Sequence, residues 1–280
     1  MKKFNIFDLD KRITYLLLLI MIVFPLLYPI GIAIKPSENT ILAYNYVESL
    51  KPGSSVILFI DFGMGNSAEL TPQVIASLKH FARKDLKVYA ATQVPEMATA
   101  LESYLEQTYG AAGKVYGEDY IDLGYFAGAE SAIGAMGDSL IAVFKTDSRG
   151  TDLTKIPMMK SVVKLPDINV VFAVTASGTI PFIRQCNAKF GMPIIFSVNA
   201  VMGPANVPYV QSGQAVSVLV GSPAAAQYET IIGEPGVATA AMDAQSLAHV
   251  IIILLIVWGN IGYFVEKRQK QAKKSEEKKA

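Results

Sequence analysis

VILFIDFGMGNSAELTPQVIASLKHFARKDLKVYAAT, Val56 to Thr92, decides the architecture of this chain. It opens on Val56 to Ile60, a continuous apolar run closed by Asp61, as expected of a strand buried on both faces of a parallel sheet. From Asn66 to Lys84 the period lengthens. Leu70, Val74, Ile75, Leu78, Phe81 and Ala82 fall on one stripe of a helix, with Asn66 and Glu69 spaced as a capping box at its start. This places His80 on the polar face. Val88 to Thr92 is apolar again and reads as a second strand. A strand, a helix and a strand in so few residues imply a right-handed crossover between parallel neighbours.

The alternation continues on both sides of this unit. A short helix over Ser37 to Leu50 is stopped by Lys51-Pro52-Gly53. Beyond Thr92 come a helix over Glu96 to Tyr109, a strand over Tyr120 to Leu123, a small-residue helix over Ala129 to Met136 and a further strand over Leu140 to Phe144. Val170 to Val174, Ile194 to Val198 and Val216 to Val220 complete the strands, with a helix over Phe182 to Phe190. The prediction is one three-layer α/β domain with a mainly parallel sheet over residues 35–232. Thr146 to Pro166 and Gly203 to Gln214 fit neither period and read as long connections, while Gly233 to Ser246 reads as a small-residue linker.

Two apolar segments bracket this domain, residues 13–34 and 247–265, each about as long as a helix needs to cross a hydrocarbon core of roughly 30 Å. Gly31-Ile32-Ala33 has the small residues of a cleavage site, but the apolar run exceeds the length usual for a signal peptide and is read as a retained anchor. Lys2, Lys3, Lys11 and Arg12 precede the first segment, and Lys267, Arg268, Lys270, Lys273 and Lys274 follow the second. Positive charge prefers the cytoplasmic side, so the tails, residues 1–12 and 266–280, are expected inside a cell (inner) membrane and the domain outside. The basic tail also suits anionic membrane lipid.

Composition narrows the chemistry. Between the two segments 14 Lys or Arg face 19 Asp or Glu, a mildly acidic balance that gives no electrostatic footprint for nucleic acid. Cys186 is the only cysteine and falls with Phe182, Ile183 and Phe190 on an apolar stripe, which reads as core. With two histidines and one thiol, no transition-metal site is expected, and no cofactor is implied.

In an open parallel sheet the ligand crevice lies beyond the carboxyl ends of the strands. That places Asp61, Gly63, Gly65, Tyr125, Ser177 and Asn199 on the expected ligand or partner surface, with Gln214 added from the Gly203 to Gln214 connection. Gly63-Met64-Gly65-Asn66-Ser67-Ala68 matches the glycine turn that admits a pyrophosphate. The acidic residue expected after the second strand is replaced by Thr92-Gln93, so the match reads as a tight turn. Ser177 follows a buried strand, as displayed nucleophiles do, yet neither His80 nor His249 is placed as its base. Ser177 with Thr179 reads as a helix start.

Val56 to Gly65, with Ala127-Gly128-Ala129-Glu130-Ser131-Ala132-Ile133-Gly134 to Asp138, loosely resembles membrane-anchored serine proteases of the signal-peptide-peptidase and Clp-like class. Gly128 stands where that class holds its nucleophile, leaving Ser131 as an offset candidate. A broader likeness runs through Asp119-Tyr120-Ile121-Asp122-Leu123-Gly124-Tyr125, Pro157-Met158-Met159, Pro208-Tyr209 with Ser212-Gly213-Gln214, and Ala225-Ala226-Gln227-Tyr228-Glu229. It resembles uncharacterised prokaryotic two-span membrane proteins and implies no activity. The expected function is a non-catalytic binding or assembly module within a larger membrane complex, with other membrane proteins or further copies of itself as partners. The rival is a serine–lysine hydrolase acting on exported or membrane polypeptides through Ser131 or Ser177. A third reading is capture of a small solute at the strand ends.

Overall fold

The computed structural model describes residues 11–32 and 34–277, which form two compact units. One is the α/β domain, residues 34–239. The other joins residues 11–32 with the chain from Ala240 onward.

The domain holds six parallel strands: β1 Ser55–Asp61, β2 Lys87–Thr92, β3 Tyr120–Tyr125, β4 Val170–Thr175, β5 Ile194–Val198 and β6 Ser217–Val220. Their order is β3-β2-β1-β4-β5-β6, so the chain starts at the centre, winds to one edge, returns and winds to the other. β1 and β4 are buried at every residue, which is why they read as unbroken apolar runs. Ile57, Phe59, Tyr89, Ile121, Val171 and Phe196 face one layer, where Cys186 is buried among them. Val56, Leu58, Ile60, Val88, Phe172 and Ile195 face the other.

The helices of the domain are α2 Glu38–Ser49, α3 Ser67–Arg83, α4 Pro95–Leu105, α5 Ala129–Met136, α6 Leu140–Phe144, α7 Ile180–Phe182, α8 Gly203–Gln211 and α9 Gly221–Ile231. Counting from the chain start, α1 is Lys11–Leu27, and α10, Val237–Glu277, leaves the domain. α4 and α7 each widen into a π-type turn, Glu106–Gly110 and Ile183–Ala188.

Several sequence expectations change. Leu140 to Phe144 is helical: Ser139 Oγ accepts the Ala142 N–H, and Leu140 and Phe144, four apart, are both buried. A short apolar run fits either period, and only its neighbours decide. Gly203 to Gln214 is mostly α8, which follows a single turn, Ala200–Met202, capped by Asn199 Oδ1 accepting the Met202 N–H, and has Pro204 in its first turn. Gly203 is required there, because a Cβ would meet Val220 Cγ1 at 2.4 Å. The expected linker after Gly233 is helical from Val237. The capping box at α3 does not form; Glu69 Oε1 instead accepts the Ala200 N–H at 2.7 Å. Thr146 to Pro166 is no open loop, since Leu153, Ile156, Met158, Met159 and Leu165 are buried and cover one face of the sheet.

In the other unit, one helix among the described residues is long and apolar enough to cross a membrane, over Val237–Gln271. The first apolar segment is not one continuous helix. α1 ends at Leu27, because Pro29 supplies no N–H and disfavours helical geometry at the residue before it. The chain then leaves the helix without regular structure, with Gly31 left-handed at φ 71°. Its freed donors have one acceptor: Asp243, buried on α10, accepts Ile30 N–H and Gly31 N–H at 2.8 Å through Oδ2 and Ile32 N–H at 2.9 Å through Oδ1. Three successive backbone amides around one carboxylate form an anion nest. The basic tail continues as helix through Glu277, while most of the tail before α1, residues 1–10, lies outside the described residues.

Candidate functional site

The strand order reverses between β1 and β4, and the connections leaving them diverge to opposite faces. That is where an open sheet offers its crevice. The polar groups at this point are satisfied by one another. Asp61 is buried, and its Oδ1 and Oδ2 accept the Gln93 N–H at 2.7 Å and the Gln93 side-chain amide at 3.0 Å. The Asp61 carbonyl accepts the Ala176 N–H and the hydroxyls of Thr175 and Ser177. Thr92 Oγ1 donates to the Ile60 carbonyl. Asp61 therefore holds the ends of β1 and β2 together, and its carboxylate does not reach the surface on which the sequence placed it. Burial pushes its pKa up to about 6 against the two Gln93 bonds.

The glycine turn is a single tight turn, Met64–Asn66, and neither of its glycines needs a left-handed backbone. Glu96 Oε2 accepts the Met64 N–H at 3.1 Å, so a carboxylate already holds the first amide a phosphate would use. Asn199 Nδ2 donates to Asn66 Oδ1 at 3.1 Å and links the loop after β5 to the start of α3. Tyr125 ends β3 with its ring exposed. Gln214 departs from the expected surface: it precedes β6, and in a parallel sheet that is the amino edge, opposite the others.

Each candidate serine donates to a carbonyl of the main chain, Ser131 to Gly128 at 2.6 Å and Ser177 to Asp61 at 3.1 Å. Among the described residues neither has a lysine or histidine partner. Thr179 makes no helix-capping bond; its hydroxyl donates to Asn206.

Three features escape a reading of the sequence. His80 is fully buried, not on a solvated face: Nδ1 lies 2.8 Å from Tyr228 Oη, Nε2 lies 2.9 Å from Glu48 Oε1, and the Tyr44 ring stacks on it at 5.1 Å. α2 and α9 both pack on α3, so that helix has a second buried stripe, Gln73, Ser77 and His80 at spacings of four and three. That polar periodicity is the available signal. Burial lowers the His80 pKa, while Glu48, paired with His80 and Lys84, falls to about 2. The second feature is a groove of about 540 Å³ along the outer face of α3, floored by Ala68, Pro72, Ile75 and Ala76 and edged by Tyr104 and the Lys79–Glu234 ion pair. The third is a row of exposed apolar side chains. Tyr125, Met64, Ile180 and Val201 leave the carboxyl ends of β3, β1, β4 and β5 with 47% to 87% of their surface exposed.

No protein-family model, curated protein or solved structure matches this chain.

Two buried carboxylates of the sheet give a pH signature. Asp61 and Asp122 both titrate near 6 because they are buried, and Asp122 Oδ2 has no hydrogen-bond partner among the described residues. The folded state thus binds these protons more tightly than the unfolded chain, whose aspartates titrate near 4. The cost of ionising them is full above about pH 6 and is relieved as pH falls from about 6 to 4. His80 acts in the opposite sense, losing stability as pH falls below its unfolded value. Asp61→Asn, whose amide can still meet a flipped Gln93, should raise stability at pH 7 by about 1 to 3 kcal/mol. The gain should vanish near pH 4. Thermal melting of both proteins across that range is the check, and an unchanged or lower melting point at pH 7 would refute the assignment.

Proposed function

We propose that this protein is a membrane-anchored binding or assembly module whose working surface is the carboxyl edge of the sheet. The observation that carries this reading is the combination found there. The crevice is closed by the protein's own hydrogen bonds, while four connections present large apolar side chains to solvent. From β3 to β5 these span four inter-strand spacings, roughly 19 Å. Large apolar side chains exposed together along one edge of a folded surface favour a protein contact site. A small-solute site would need open polar groups, and a serine hydrolase would need a base beside its hydroxyl.

In this reading both apolar segments lie in a cell membrane, the tails are cytoplasmic and the domain is extracytoplasmic, as in the uncharacterised prokaryotic two-span proteins this chain resembles. The basic residues after Val265 then meet anionic lipid.

The test joins topology to surface. Protease added to sealed spheroplasts should cut the domain and spare both tails. Val201→Asp with Tyr125→Ala should leave the stability within about 0.5 kcal/mol of wild type, because both side chains are exposed. The same pair should release proteins that co-purify from detergent extracts. If every partner stays bound, the surface is wrong. Labelling by a fluorophosphonate that disappears in Ser131→Ala or Ser177→Ala would replace this reading with a hydrolase.

A further inference from the structure

We infer that α10 is a homodimerisation helix in which Asn260 pairs with Asn260 of a second copy. The inference rests on the reading of α10 as a membrane span. Apart from its aromatic residues, the stretch from Leu247 to Val265 carries two polar side chains, His249 and Asn260. They are 11 residues apart, which at 3.6 residues per turn leaves them within about 20° of the same direction. Ile253 and Ile256 lie between them at spacings of four, three and four, and all four residues are exposed. The less exposed positions of the stretch, Ile251, Leu255 and Gly262 among them, lie on the opposite side of the helix. Every polar group that hydrocarbon would penalise, aromatics aside, therefore points outward along one seam.

Asn260 Nδ2 donates to the Ile256 carbonyl at 2.9 Å, a bond within its own helix. Its Oδ1 accepts nothing among the described residues. In a bilayer no water is present to satisfy it, so the amide oxygen calls for a donor from a neighbouring helix. A two-fold axis along the membrane normal sets Asn260 against Asn260 at equal depth. A carboxamide is both donor and acceptor, so that pair is self-complementary. A different protein would have to offer a polar group at this depth, whereas a second copy carries one by identity. The alternating spacings of three and four are those of a left-handed helix pair, and Tyr263 continues the seam.

The experiment uses the full chain in vesicles of phosphatidylcholine and phosphatidylglycerol, with buried Cys186 left in place. Ile253→Cys and Ile256→Cys should form disulfide-linked dimers on oxidation, and Leu254→Cys and Ile261→Cys, on another flank, should not. Asn260→Leu should weaken association about three- to tenfold, measured by energy transfer at varied protein-to-lipid ratio, with Asn260→Gln retaining it. Equal cross-linking at all four positions, or none, or an unaffected Asn260→Leu, overturns the dimer while flotation with the vesicles preserves the membrane reading. Failure to float overturns both.

Discussion

Phe59→Ala should lower the stability of the α/β domain by about 3 to 5 kcal/mol, the range for emptying an aromatic site in a packed core. Phe59 lies in β1, the strand from which the sheet winds both ways, and is fully buried. Its ring meets Phe182 of α7 at 5.1 Å and Phe126, just after β3, at 5.8 Å, so two elements and a connection share one contact. The helices of this layer start from loops fixed by their strands and cannot close on the space left behind. Phe59→Leu should lose distinctly less. Chemical denaturation of both variants checks this, and a loss under about 1 kcal/mol for alanine would mean that the layer relaxes.

Glu229→Ala should be comparably damaging for a different reason. This buried carboxylate at the end of α9 accepts the N–H groups of Gly236, Ala238 and Thr239 and the Thr239 hydroxyl, at 2.7 to 3.1 Å. It supplies the acceptors that the first turn of α10 lacks and places a negative charge at that helix's positive end. Truncation strands three amides, so a loss of about 3 kcal/mol or more is expected. Glu229→Gln keeps an acceptor and should lose roughly half as much. The distinguishing readout is local: limited proteolysis should cut the alanine variant between Gly233 and Val237 before the domain melts. Global unfolding without earlier cleavage there would contradict a capping role.

The strands are legible in the sequence because burial on both faces leaves no room for polar residues, and Val56 to Ile60 and Val170 to Val174 show that directly. Their order is not, since adjacency depends on which way each crossover returns, and no residue pattern records that. Leu140 to Phe144 misleads because five apolar residues fit either period. Treating α8 as a loop puts Gln214 on the wrong edge of the sheet; once Gly203–Gln211 is a helix, the residues after it return to the amino edge. His80 is misplaced by assuming one buried stripe per helix, whereas α3 is covered by the sheet on one side and by α2 and α9 on another. Of the expected surface, Asp61 and Ser177 do meet at the switch point, but as mutual hydrogen-bond partners. The apolar row hides in ordinary residues: nothing in the sequence marks Met64 and Val201 apart from other apolar residues until the fold leaves them outside.

The Asp243 nest bears on the order in which the chain can be completed. The amides of Ile30, Gly31 and Ile32 emerge from the ribosome more than 200 residues before the carboxylate that binds them. At synthesis rates of about 5 to 20 residues per second, that is a delay of roughly 10 to 40 s. For that interval the three amides at the end of the first segment lack the carboxylate that binds them. The α/β domain is made in the meantime, because its residues lie between the two halves of the nest. The unit that joins α1 to α10 is therefore the last part to close, and a chain released before Asp243 would carry an intact domain with that latch unmade.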